Sequence, residues 1–216
     1  MKKFLLFASI AAIFASCSSK SKFELDVNIR NNNSIMNKEI FVVQRIDGAI
    51  VSTDSAKIKK EQFSLNLPYK GAALMTVSIP ESDVNEIMMA SEEGKIQLNI
   101  DGVKPRIGGS PVNDRLQAFL QQSDSVSLLF QKLDNDYNSQ NKTGTLTTQL
   151  TDDYRQKKSQ LLKENTDRII AFIKENIDNP IGEYYFMTNY ILFPMDRKLE
   201  MNGFATQKIK DAFGIK

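Results

Sequence analysis

The chain has 216 residues, 41% of them hydrophobic and 25% charged, with 28 Lys+Arg against 26 Asp+Glu. So even a balance gives no concentrated basic surface for nucleic acid and no polybasic segment to draw the chain onto anionic lipid. There is no His, no Trp and a single Cys, which excludes a Ser-His-Asp triad, a CxxC redox pair, an internal disulfide and nearly all zinc sites. No cofactor or metal is expected. Any catalysis would have to rest on carboxylates, Lys or Tyr, so the composition points away from an enzyme.

In chain order, residues 1–16 read as an export signal: Lys2 and Lys3 form a positive start, Phe4 to Phe14 is an almost unbroken apolar run, and Ala15 and Ser16 are small. That run is too short to remain as a membrane span, which needs about 20 apolar residues. The stretch Phe14-Ala15-Ser16-Cys17 resembles the lipobox of bacterial lipoproteins. The resemblance implies cleavage before Cys17, diacylglycerol on its thiol and acylation of the new amine by a palmitate-type chain. Two or more acyl chains anchor a protein stably where one does not. Loss of Lys2 and Lys3 would leave 26 basic against 26 acidic residues. Residues 17–22 then form a lipidated polar tether. By resemblance to lipoprotein sorting rules, the absence of an acid directly after Cys17 favours the outer membrane, and the lack of an acidic run favours the periplasmic side.

From 23 to 109 the chain reads as a β-rich domain. Phe23, Leu25, Val27 and Ile29 alternate with polar neighbours, as in a half-buried strand. Asn31 to Asn33 interrupt the pattern. Ile40 to Ile46, the hairpin signal Asp47-Gly48 and Ile50 to Thr53 follow. Ile58, Gln62 to Leu67, Leu74 to Ile79, Ile87 to Ala90 and Ile96 to Ile100 continue the series, with turn candidates at Glu93-Gly94 and Asp101-Gly102. Strands at this spacing predict an antiparallel sandwich or barrel.

From 110 to 216 the period becomes helical. Ser110 and Pro111 supply an N-cap and a first helical residue, and Leu116, Phe119, Leu120, Leu129, Phe130, Leu133 and Tyr137 form an apolar stripe. Asn138 to Gly144 read as a polar flexible loop. A second helix is expected from about Leu150 to Asn176, antiparallel to the first. Asn179-Pro180 starts another, and a short one is expected over Thr206–Phe213. The fold class is therefore α+β: a sandwich or barrel, then a helical arm made of a long hairpin and shorter helices.

Three segments carry a family resemblance: Asp54-Ser55-Ala56-Lys57-Ile58 leading to Gln62-Phe63-Ser64-Leu65, Gly109 to Leu116, and Phe172 to Gly182. In this order they resemble a domain of unknown function that precedes the thioredoxin-like domain of TlpA-like thiol-disulfide oxidoreductase lipoproteins, the first of them matching that domain's hairpin. The similarity spans residues 23–193. In that family a thioredoxin-like domain with a WCxxC motif follows. This sequence ends at Lys216 without Trp or a second Cys, so oxidoreductase activity is not expected from the resemblance. What it implies is the architecture, export, and association with redox or envelope maintenance.

Candidate sites are few. Asp134-Asn135-Asp136-Tyr137-Asn138 has calcium-loop spacing, but Ser139 and Thr145 stand where that loop needs Gly and Glu, so an interhelical polar loop is expected. Glu92-Glu93 and Asp152-Asp153 are adjacent pairs whose side chains diverge. Tyr184, Tyr185, Phe186, Tyr190 and Phe193 form the densest aromatic cluster and are the candidate interaction surface. Asp54-Ser55-Ala56 and Asp124-Ser125-Val126 resemble a three-residue bacterial O-glycosylation signal, making Ser55 and Ser125 candidates for modification. The leading expectation is a non-enzymatic envelope lipoprotein acting as an interaction module for a protein partner. The alternatives are a small-ligand or glycan binder, and a truncated relic of a TlpA-like oxidoreductase.

Overall fold

The alternation from Phe23 to Ile29 becomes the strand around which the protein is built. The structure, a computed structural model, describes residues 22–46, 49–69 and 71–215; Cys17 and the Asp47-Gly48 turn lie outside them. In β1 (Lys22–Arg30) every second residue is buried, which is what a strand does when one face meets a core. β1 lies between β4 (Gln62–Pro68) and β7 (Gly94–Asp101), and β8 (Lys104–Gly108) pairs beyond β7. A second four-stranded sheet has the order β3 (Ala49–Lys57), β2 (Glu39–Ile46), β5 (Leu74–Ser78) and β6 (Ile87–Ala90).

The two sheets make an open sandwich, not a closed barrel. Its core joins Leu25, Val27, Leu67 and Leu98 of the first sheet to Ile40, Val42, Val77 and Met89 of the second. Each such side chain contributes about 1.5–3 kcal/mol on burial. One pairing departs from the expected antiparallel pattern: β1 runs parallel to β7, with Leu25 opposite Ile96 and Asn28 opposite Asn99. A parallel pair needs a long crossover, and here the whole second sheet supplies it. The segment Asp54 to Leu65, expected as a hairpin, is likewise a crossover, because β3 and β4 belong to different sheets. Ile58 is fully buried at the crossing, and its N–H donates to Lys38 O at 2.9 Å.

The helices are α1 (Pro111–Lys142), α2 (Thr148–Glu175), α3 (Pro180–Tyr190), α4 (Met195–Asn202) and α5 (Gln207–Phe213). α1 does not stop at Tyr137 as the polar composition suggested. Asn138 to Asn141 lie on its largely exposed final turns, and the helix ends where Gly144 adopts a left-handed φ of +67°. The acidic run Asp134–Asn138 is accordingly helical, not a loop. Asp134 accepts from Tyr154 Oη and Lys158 Nζ, both at 2.8 Å, while Tyr137 stacks on Tyr154 at 4.2 Å. These contacts set α1 and α2 antiparallel.

Candidate functional site

The junction between sandwich and helices is built from the residues that carried the resemblance. Asn113 is fully buried; its amide accepts from Ala90 N and donates to Ala90 O, both at 2.9 Å. It thus occupies the free edge of β6 as a neighbouring strand would. Glu92 Oε2 accepts from Val112 N at 3.1 Å, Asn113 N at 3.3 Å and the Ser110 hydroxyl, capping α1 with a carboxylate. Arg115 Nε donates to Asn176 Oδ1 at 3.2 Å, and Asn176 Nδ2 donates to Phe172 O at 2.9 Å. Asn179 caps α3 through Ile181 N and Gly182 N. The junction and helix-end motifs therefore meet through Arg115 and Asn176. Their polar groups satisfy one another, as a joint requires.

Above this joint the aromatic residues turn inward. Phe119 stacks on Phe172 at 3.9 Å, and Tyr185 meets both edge-on at 5.1 and 5.3 Å. Phe186 is fully buried in a second small core with Ile170, Ile173, Met201 and Ile209. Tyr184, Tyr190 and Phe193 are half-buried. Of the five aromatic residues singled out from the sequence, Phe186 is thus inaccessible, and the rest are partly covered because the helix presents its rings to α1, α2 and α5.

What the same segment exposes is aliphatic. Met187, Ile191, Leu192, Met195 and Leu199 are 42%, 70%, 77%, 67% and 59% exposed. Met187 and Ile191 are four residues apart, as are Met195 and Leu199, so each pair shares a face across the turn from α3 to α4. Charges of both signs lie on the same and neighbouring helices. Arg197 pairs with Asp167 and with Glu200, Lys208 pairs with Glu183 at 2.6 Å, and Lys198 lies 5.8 Å from the centre of the Tyr190 ring. The sequence carried the signal in Ile191-Leu192, an apolar dipeptide in a turn two residues before Pro194.

The outer face of the first sheet is polar and internally paired. Ser64 Oγ donates to Asp26 at 2.6 Å, Asn28 to Asn99 at 3.3 Å, and Lys95 bridges Glu24 at 3.1 Å and Asp26 at 3.6 Å. The Ser64 hydrogen bond, followed by the charge of Lys95, holds the Asp26 carboxyl below its usual range. Ser55 Oγ donates to Glu39 at 2.9 Å from edge strand β3, and Ser125 is exposed in the middle of α1, donating to Gln121 O at 3.0 Å. Asp152 is exposed and pairs with Arg155 at 3.6 Å. No group of three or more Cys, Asp or Glu side chains able to hold a metal occurs among the described residues. No described helix is long and apolar enough to cross a membrane.

Fold and surface together define a β-sandwich locked at one end to a helical hairpin, with an apolar shoulder left bare on the helical side. Residues 23–116, the sandwich and the start of α1, match the family model of a domain of unknown function, DUF4369. No curated protein matches the chain.

Proposed function

We propose that this protein is a lipid-anchored envelope protein whose helical end docks another protein, and that it acts by binding and not by catalysis. The reading rests on the shoulder formed by Met187, Ile191, Leu192, Met195 and Leu199. A cluster of large apolar side chains is what a protein interface leaves exposed in the free subunit. The mixed signs of Arg197, Lys198, Lys208, Glu183 and Glu200 favour a protein partner over an anionic bilayer, which would select a uniformly basic rim. The export signal and lipobox-like Cys17 supply the address, and the family resemblance points to a thioredoxin-like or other envelope component as the partner class.

The test is a photo-crosslinking residue at Leu192, in the full chain in its native envelope, with a second at Lys60 on the sandwich as a control. The expected result is one adduct of discrete mass from position 192, absent from position 60 and lost when Met195 and Leu199 are both changed to Asp. Exposed substitutions of this kind shift stability by only about 0.5 kcal/mol, so loss of the adduct would report binding. An adduct of twice the subunit mass would identify a second copy as the partner. Absence of any adduct, or its survival in the double variant, would overturn the docking reading. Intact mass of the same preparation reads the anchor: the mature chain should begin at Cys17 and carry its acyl chains.

A further inference from the structure

A cleft of about 290 Å³ opens between α1, α2 and α3, near the lower end of the ligand-pocket range of roughly 300–1,000 Å³. Leu120, Val126, Phe130 and Ile169 make its apolar wall, and Asn165, Arg168 and Tyr185 bring polar groups to the same space. Phe119, Leu120, Ile169 and Tyr185 separate it from the sandwich core, against which they pack, and none of the shoulder residues lines it.

Arg168 is the unusual member. Its guanidinium carbon lies 4.5 Å from the centre of the Phe119 ring. Its Nη1 donates to Phe119 O at 3.3 Å, and its Nη2 donates to Ser123 Oγ at 3.1 Å and Asn165 Oδ1 at 2.8 Å. Every one of these acceptors is neutral. Among the described residues Arg168 takes part in no ion pair, and its Nε is buried without a partner. Burial also disfavours its charged form. A cation held against an aromatic platform without a counter-charge carries a desolvation cost that nearby carbonyl and hydroxyl oxygens only partly offset. With three of its five N–H groups donated and Nε buried, one Nη1 N–H remains to meet an anion by a charge-assisted hydrogen bond.

We propose that this cleft binds a small carboxylate with an apolar body, its head group on Arg168 and its hydrocarbon against Phe130 and Ile169. The anion supplies the missing counter-charge, while the apolar wall excludes small hydrophilic acids. Asn165 and Tyr185 stand beside the head group and select for an acceptor there. The site is separate from the protein-docking shoulder, so each stands or falls alone.

The experiment is calorimetric titration of the folded chain with octanoate, and with 1-octanol as the neutral counterpart. Octanoate should bind saturably, at least about tenfold more tightly than octanol, since octanoate alone brings a charge to meet Arg168. Arg168→Gln should weaken octanoate binding by a similar factor and leave octanol unchanged. Because Arg168 also ties α2 to α1, a second variant separates binding from folding. Asn165→Asp places a carboxylate where Oδ1 already meets Nη2 at 2.8 Å, so it should occupy Arg168 from within, abolish octanoate binding and keep or raise the melting temperature. Equal affinity for octanoate and octanol, undiminished binding in Asn165→Asp, or no saturable octanoate binding would each overturn the proposal.

Discussion

At Gly182 the first turn of α3 passes so close to the end of α2 that an added Cβ would lie 1.9 Å from Asn176 O. No side chain can move aside, since the obstacle is backbone. Gly182→Ala should therefore cost about 3 kcal/mol, the upper end of ordinary overpacking, and appear as a fall in the denaturation midpoint; an unchanged midpoint would show that the two helix ends can part freely. Tyr185 makes a second prediction at this scale. Burial, reinforced by Tyr184 and opposed by the Arg168 charge, pushes its hydroxyl up to about 12. A pKa raised in the folded state gives stability that is fully present below the unfolded value of about 10 and is lost as pH rises toward 12. The melting temperature should hold through neutral pH and decline over that alkaline window. Tyr185→Phe should flatten the decline, and a decline of equal depth in that variant would assign it to other groups.

The elements differ in how plainly the sequence announced them. β1, β4 and β7 were legible because one face of each is buried and polar residues alternate with apolar ones. β8 was not: Pro105 and two basic residues leave only Ile107 buried, and such a strand survives as a sheet edge. α4 also escaped notice, since it buries only Met201. The direction of β1 against β7 could not be read at all, because alternation fixes which face is buried and not which way a neighbour runs. At the candidate site, Ile191-Leu192 was visible as sequence, whereas Glu92 as a cap and Asn113 as a strand substitute depend on partners about twenty residues away. The helical hairpin carries its own consequence. Between Phe119 and Ile170 no residue is buried, and Leu128, Leu129 and Leu162 are at least half exposed. With so few buried contacts, its outer turns should open independently of the sandwich. Native-state hydrogen exchange should find the amides from Gln131 to Lys158 exchanging far faster than those of β1 and β7; equal protection would mean that the arm and sandwich unfold as one.

On the scale of the whole molecule, the joint makes the sandwich and the base of the hairpin one body. Asn113 pairs with β6, Glu92 caps α1, and Arg115 reaches Asn176 across 61 residues of sequence. A partner seated on the α3–α4 shoulder would thus be held by a firm end of the protein and not by the loosely packed tip of the arm. The proposed lipid anchor would lie toward the opposite end of the chain, ahead of β1. An acylated Cys17 would stand five residues before Lys22, which opens β1. That strand is hydrogen-bonded on both sides, antiparallel to β4 and parallel to β7. Any tension between the membrane and a partner gripping the helical end would enter along the axis of β1. Extracting the strand would load both ladders together, where an edge strand could be peeled away bond by bond. A lipid tether on Cys17 would thus be fastened to the part of the sheet best placed to bear a pull.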